Sequence, residues 1–206
     1  MKLKRAILTG FAPFGPYTCN PTADLAQELD GQVINGTEIR GIVLPATYWT
    51  AAQRLWKEVE SFQPDRIVSI GLASAVPCIQ IEVRGKNLTK GKYPDANGLF
   101  LQEGQLEKRG PYLVKVNSGY RALKDALSIE GIEARLSINA DAFICNALLY
   151  LTMRRIFTSG RKAILPYSFI HAPWTANYLD RVTLEPGKVT VSWDDLVRTA
   201  IIALTR

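Results

Sequence analysis

Short apolar runs, each stopping at a glycine, a proline or small residues, alternate along this chain with longer segments of helical spacing. Ala6–Thr9 runs into Gly10 and predicts a buried strand followed by a loop. Asn20-Pro21-Thr22 offers a cap residue and a proline at the first helical position, so a helix is predicted from there to Leu29. Ile39–Leu44 predicts the next strand, ended by Pro45, and Thr47–Phe62 shows helical spacing through Ala51, Leu55 and Val59. A third central strand is predicted at Arg66–Leu72.

Ile79, Ile81 and Val83 then alternate with Gln80, Glu82 and Arg84, the period of a half-exposed strand. Residues 85 to 115 are rich in Gly, Lys, Pro and Asn and lack a helical period; they predict a long excursion with room for a hairpin. A helix at Ser118–Ile129 closed by Gly131, a strand at Ala134–Ile138, a helix at Ala142–Thr158 and a strand at Lys162–Ile170 follow. Ser192 caps a last helix whose first turn carries Asp194 and Asp195, matching the helix dipole. This alternation predicts α/β layers around a mainly parallel sheet, in one domain over residues 1–206, without repeats or linkers.

Composition narrows the function classes. The net charge of +6 is spread along the chain, and no basic stripe interleaves with aromatics, so nucleic-acid binding is not expected. The basic start Met1–Arg5 is followed by too short an apolar run for a signal peptide, and no stretch approaches the length of a membrane span. Cys19, Cys78 and Cys145 are odd in number and lack metal-ligand spacing, and only one histidine is present, so no metal site is expected. A cytoplasmic protein with reduced thiols is the expectation.

The single histidine, His171, should sit at the carboxyl end of its strand, where ligand sites of open α/β sheets collect. Cys145 falls where a helix should begin, and N–H groups at a helix start favour a thiolate. Two readings of Cys145 stand: a buried core thiol, or the nucleophile of a cysteine hydrolase. The stripe Phe143, Ile144, Ala147, Leu148 and Leu151 leaves Cys145 off its centre. Leu149, Met153 and Ile156, however, make the other side apolar too, so this helix is buried on both faces or meets a partner subunit. The helix at Ala142–Thr158 follows the strand Ala134–Ile138, which places its start at the same carboxyl edge as His171. A third group to orient the imidazole is expected. Glu82 is one candidate, but an exposed strand carboxylate paired with Arg84 is its ordinary explanation and the favoured one on the residues alone, and the sequence does not choose among the acids.

At these residues the chain resembles the pyroglutamyl peptidase type I family. Thr9-Gly10-Phe11-Ala12-Pro13-Phe14-Gly15 with Asn20-Pro21-Thr22 is similar to the family's opening, and Val43-Leu44-Pro45 follows as it does there. Gly71-Leu72-Ala73 leading to Ile79-Gln80-Ile81-Glu82 and Asn87 resembles the segment of the catalytic glutamate. Phe143-Ile144-Cys145-Asn146 resembles the nucleophile motif and Phe169-Ile170-His171-Ala172-Pro173 the histidine motif. The resemblance implies Cys145 as nucleophile, His171 as general base and acid, and Glu82 as the group orienting His171. It implies Phe11, Phe14, Asn20, Phe143 and Ile144 as the lining of a pocket for the pyroglutamyl ring of blocked peptides. It further implies a three-layer α/β/α sandwich around a mainly parallel twisted sheet, phosphorylase/hydrolase-like, no cofactor, and a homo-oligomer (dimer or tetramer). Flat aromatic walls suit a neutral lactam, whereas a charged N-terminus would lose its hydration there.

Four departures from the family pattern bear on activity. Ser74-Ala75-Val76 stands for Gly-Gly-Arg, Glu82-Val83 for Glu-Arg, Ala140-Asp141-Ala142 for Ala-Gly-Thr, and Pro16 for a glycine. Asp tolerates a left-handed backbone better than most residues, but its charge near Cys145 opposes a thiolate. Two alternatives to pyroglutamyl removal therefore stay open: hydrolysis of another small acyl amide or lactam, and a catalytically weak relative that binds blocked N-termini.

Overall fold

A computed structural model describes residues 3–161, 165–182 and 189–206. The chain enters through β1 (Lys4–Phe11), α1 (Pro21–Leu29), the two-residue β2 (Val33–Ile34) and β3 (Thr37–Leu44). It continues with α2 (Thr50–Phe62), β4 (Arg66–Leu72) and β5 (Ile79–Glu82). β6 (Arg84–Lys86) and β7 (Leu113–Lys115) bracket the excursion, followed by α3 (Tyr120–Ile129), β8 (Ala134–Ser137) and α4 (Ile144–Thr158). β9 (Tyr167–Ala172), β10 (Trp174–Thr175), β11 (Thr190–Val191) and α5 (Trp193–Thr205) complete the order. The predicted strand at Lys162–Ile170 starts later, and its residues 162–164 lie outside the described ones.

Seven strands form one sheet in the order β2-β3-β1-β4-β9-β5-β8. β3, β1, β4 and β9 run parallel; β2 is antiparallel to β3 and β5 to β9. Alternation along the strands splits the core into two layers. Val68 and Ile70 of β4, Ile79 and Ile81 of β5 and Ile170 of β9 pack with Leu25, Leu127 and Leu196 from α1, α3 and α5. On the other face Ile67, Tyr167 and Phe169 pack with Leu55, Val59, Leu148 and Met153 from α2 and α4. The fold is α/β, with helices on both faces of a mainly parallel sheet.

Local sequence explains the boundaries. Asn20 caps α1, its Oδ1 accepting from the Thr22 N–H at 3.1 Å, and Ser192 caps α5 by accepting from the Asp195 N–H at 2.9 Å. The excursion closes as a hairpin at its base, with Arg84 paired to Lys115 and Lys86 to Leu113.

One geometric expectation is corrected. β8 is parallel to β5, hence antiparallel to β9, and Ser137 ends level with Glu82 and Phe169. Its carboxyl end therefore points away from the edge that carries His171. Residues 138–143 bring the chain back, turning at Asp141, whose φ of 65° is left-handed.

Candidate active site

The site is assembled on one face of the sheet. β9 lies between β4 and β5, so His171 is level with Gly71 on one side and Gln80 on the other. Glu82 is two residues along β5 from Gln80, a diagonal neighbour of His171 on the same face. Its Oε1 lies 2.8 Å from His171 Nδ1. Glu82 is fully buried, so the alternative of an exposed carboxylate beside Arg84 does not describe this structure. Arg84 instead donates from Nε to the carbonyl of Ile138 at 2.9 Å. Its neighbour Val83 ends the alternation, because the chain leaves β5 there and bonds to Ser137.

Nδ1 being engaged, Nε2 is the ring nitrogen left to meet Cys145, which lines the same cavity and whose charge acts on the imidazole. Burial disfavours the imidazolium. The charges and hydrogen bonds of Cys145 and Glu82 outweigh it, and the pKa of His171 is pushed up to about 10. Cys145 is the second residue of α4, half-buried, whereas Cys19 and Cys78 are buried. Phe143, the residue before α4, offers no side-chain cap, so the first N–H groups of a 15-residue helix stay free to meet negative charge. Gly71 sets the depth of the sulfur: a Cβ there would stand 2.8 Å from Cys145 Sγ and 3.2 Å from the Phe169 ring.

Cys145 and His171 open onto a cavity of about 460 Å³ that Phe14, Tyr17, Phe143, Tyr93, Gln80 and the Lys92–Asp141 pair also line. Phe14 and Phe143 stand with ring centroids 6.4 Å apart, and Phe14 meets Tyr17 edge-on at 6.0 Å. Of the five residues expected to hold a pyroglutamyl ring, these two are on the cavity wall. The other three are not among its lining residues. Phe11 is buried with its ring centroid 6.5 Å from that of Phe169, one ring removed from His171. Asn20 spends its side chain capping α1, and Ile144 points into the core between α4 and the sheet.

The charge that Asp141 brings is answered locally: Lys92 Nζ lies 2.7 Å from its carboxylate. Lys92, Tyr93, Tyr17, Gln80 and Gly71 were not singled out as site residues from the sequence. Only Gly71, the glycine inside a strand that ends at small residues, carried a local signal. Among the described residues no three His, Cys, Asp or Glu side chains converge so as to hold a metal ion. No helix among them is long and apolar enough to cross a membrane.

Comparison with known proteins places this arrangement. A sequence profile described as pyroglutamyl peptidase matches residues 4–205. The pyrrolidone-carboxylate peptidase of Chromobacterium violaceum is 29% identical over 202 residues, covering 98% of this chain and 91% of that protein. That of Pyrococcus furiosus is 30% identical over 82% of this chain and 81% of its own length. The crystal structure of pyroglutamyl peptidase I from Bacillus amyloliquefaciens superposes with a TM-score of 0.89 at 27% identity, covering 98% of this chain and 95% of that one.

Proposed function

The chain belongs to the pyroglutamyl peptidase family, and we propose that Cys145, His171 and Glu82 are the residues with which it removes an N-terminal pyroglutamyl residue from peptides. It is a cysteine-type omega peptidase. The observation that carries the residue assignment is the row of buried Glu82, buried His171 and half-buried Cys145, ending at a cavity walled in part by Phe14, Tyr17, Tyr93 and Phe143.

In this reading the sulfur of Cys145, its proton held by His171 Nε2, attacks the pyroglutamyl carbonyl carbon. The oxyanion forms beside the free N–H groups at the start of α4. As the C–N bond breaks, His171 passes its proton to the leaving amine and a thioester remains. A water that gives its proton to His171 then attacks the thioester, releasing pyroglutamate and the sulfur. Glu82 accepts from Nδ1–H throughout, fixing the tautomer and stabilising the imidazolium. Phe14 and Phe143 supply apolar faces for the flat lactam, and an unblocked ammonium would enter at the cost of its hydration.

The test is hydrolysis of a pyroglutamyl fluorogenic amide. Cys145→Ala and His171→Ala should abolish turnover, and Glu82→Gln should lower kcat by about 10³- to 10⁴-fold through loss of imidazole orientation. Robust cleavage by Cys145→Ala refutes the mechanism. Activity of the wild type on other acyl amides but not on this one would move the substrate assignment. We also place the protein in the cytoplasm, where three free cysteines stay reduced, and in a homo-oligomer, with exposed Leu99 and Phe100 as contact candidates. A monomer mass by light scattering, or recovery from the envelope fraction, would retire those two assignments.

A further inference from the structure

α4 carries polar side chains at every fourth position of one face, Asn146, Tyr150 and Arg154, and all three reach the excursion between β6 and β7. Asn146 is fully buried and spends its whole amide there. Its Oδ1 accepts from Lys86 N at 2.8 Å, and its Nδ2 donates to the carbonyls of Lys86 and Leu88, each at 3.0 Å. Tyr150 donates its hydroxyl to the carbonyl of Pro111 at 2.9 Å, and Arg154 Nε lies 2.9 Å from Glu107 Oε2. Asn87 ties the two limbs together, donating to the Glu107 carbonyl at 2.7 Å and accepting from its N–H at 2.9 Å. Contact is close enough to exclude side chains: a Cβ at Gly110 would stand 2.1 Å from the Tyr150 hydroxyl oxygen. The polar face of α4 is thus covered by the chain's own excursion.

This segment reaches the cavity through Lys92 and Tyr93, while Cys145, His171 and Glu82 come from α4, β9 and β5. Between the two, Lys90 N donates to the Ala142 carbonyl at 2.8 Å, and Lys92 pairs with Asp141. The wall of the cavity is therefore hung on the helix that carries the nucleophile, with Asn146, next to Cys145, as its nearest fully buried tie.

We propose that Asn146 is a positioning residue which, with Tyr150, holds residues 86–112 against α4 and so sets how tightly the cavity grips the blocked peptide end. The inference rests on the assignment of Cys145 made above. Removing the Asn146 amide strands three backbone groups of half-buried Lys86 and Leu88, and the cheapest relief is for the segment to lift away from α4. A wall touched equally by ground and transition states contributes to KM and leaves kcat nearly unchanged.

The experiment compares wild type, Asn146→Ala and Tyr150→Phe in steady-state hydrolysis of a pyroglutamyl fluorogenic amide, iodoacetamide labelling of Cys145, and thermolysin cleavage mapped by mass spectrometry. KM should rise about tenfold in Asn146→Ala and about two- to threefold in Tyr150→Phe, with kcat within about threefold of wild type in both. Cleavage between residues 87 and 112 should accelerate in the same order, while the labelling rate stays within about twofold, reporting an intact Cys–His pair. Loss of kcat at unchanged KM, or wild-type KM and cleavage rate in the variants, overturns the proposal. Should Asn146→Ala fail to fold, Tyr150→Phe, which keeps the buried ring, decides alone. A wild type inert toward pyroglutamyl amides would refute the substrate assignment, whereas the cleavage pattern would still judge the clamp.

Discussion

Replacing Gly71 with alanine tests where the sulfur sits. The added Cβ would stand 2.8 Å from Cys145 Sγ and 3.2 to 3.3 Å from the Phe169 ring. Ordinary contacts settle at about 3.5–4.0 Å, so the shortfall against sulfur is about 1 Å. Gly71 lies in β4, level with His171 in the ladder to β9, and its backbone has little freedom to retreat. The cheapest relief is rotation of Cys145 about χ1, which carries Sγ about 3 Å to another staggered well. That movement takes it off His171. Stability should therefore suffer little, about 1 kcal/mol or a Tm decrease of about 2–4 °C, because an overpacked site with an escape route costs at the low end. Catalysis should suffer much more: a reacting atom misplaced by 1 Å or more costs about 10²-fold, so kcat/KM should fall by at least that factor. Hydrolysis of a pyroglutamyl fluorogenic amide, read beside a thermal melt, separates the two effects. A Gly71→Ala protein within about threefold of wild-type kcat/KM would show that the sulfur does not lie against β4 and would refute the geometry.

Further outcomes follow from the same site. The pKa of His171 is raised in the folded protein, from an ordinary 6.5 to about 10, so its cation stabilises the fold fully below about pH 6.5 and that stabilisation fades as pH rises through 10. The Tm difference between wild type and His171→Ala should be flat from about pH 5 to 6.5 and shrink towards pH 10; a difference that grows with pH would contradict the pairing. Asp141 at φ 65° should accept glycine with little change in Tm, whereas Asp141→Val should lose about 1–2 kcal/mol, some 2–8 °C, from a β-branched residue in a left-handed conformation. Equal melting of the two variants would show that this turn relaxes freely.

Most of the framework was legible in the chain. β4 begins and ends where the apolar run Arg66–Leu72 does, and α1 and α5 start at Asn20 and Ser192 because those side chains satisfy N–H groups locally. What escaped was decided by distant contacts. The direction of β8 is fixed by pairing with β5 through Ile79–Ala134 and Glu82–Ser137, which no local pattern encodes. The meeting of Cys145 with His171 was anticipated on the premise that β8 ends at the edge of His171. It depends instead on the turn at Asp141. Glu82 looked like an exposed strand position by its alternation with Ile81, yet both faces of β5 are covered. Phe11 and Phe14, alike in the motif, diverge because Phe11 closes β1 and Phe14 lies beyond it at the cavity. Lys92 and Tyr93 sit in a segment without periodicity, and only the packing of that segment on α4 brings them to the site.

The start of α4 illustrates how function and stability divide the same atoms. α1 and α5 have side-chain caps, each worth about 1 kcal/mol, while α4 begins at Phe143 without one. α3 also lacks a side-chain cap, so an uncapped start is not by itself a sign of chemistry. What distinguishes α4 is that its free N–H groups flank a half-buried thiol opposite a buried imidazole. A serine or aspartate at position 143 would satisfy those donors and steady the helix, but it would also compete with the sulfur and with any oxyanion for them. The helix can forgo that cap because its length is anchored elsewhere: Leu148, Met153 and Ile156 fill the core beneath the sheet, and Asn146, Tyr150 and Arg154 bind the excursion above. Stability is thus supplied along both flanks of the helix, leaving its amino terminus free for chemistry.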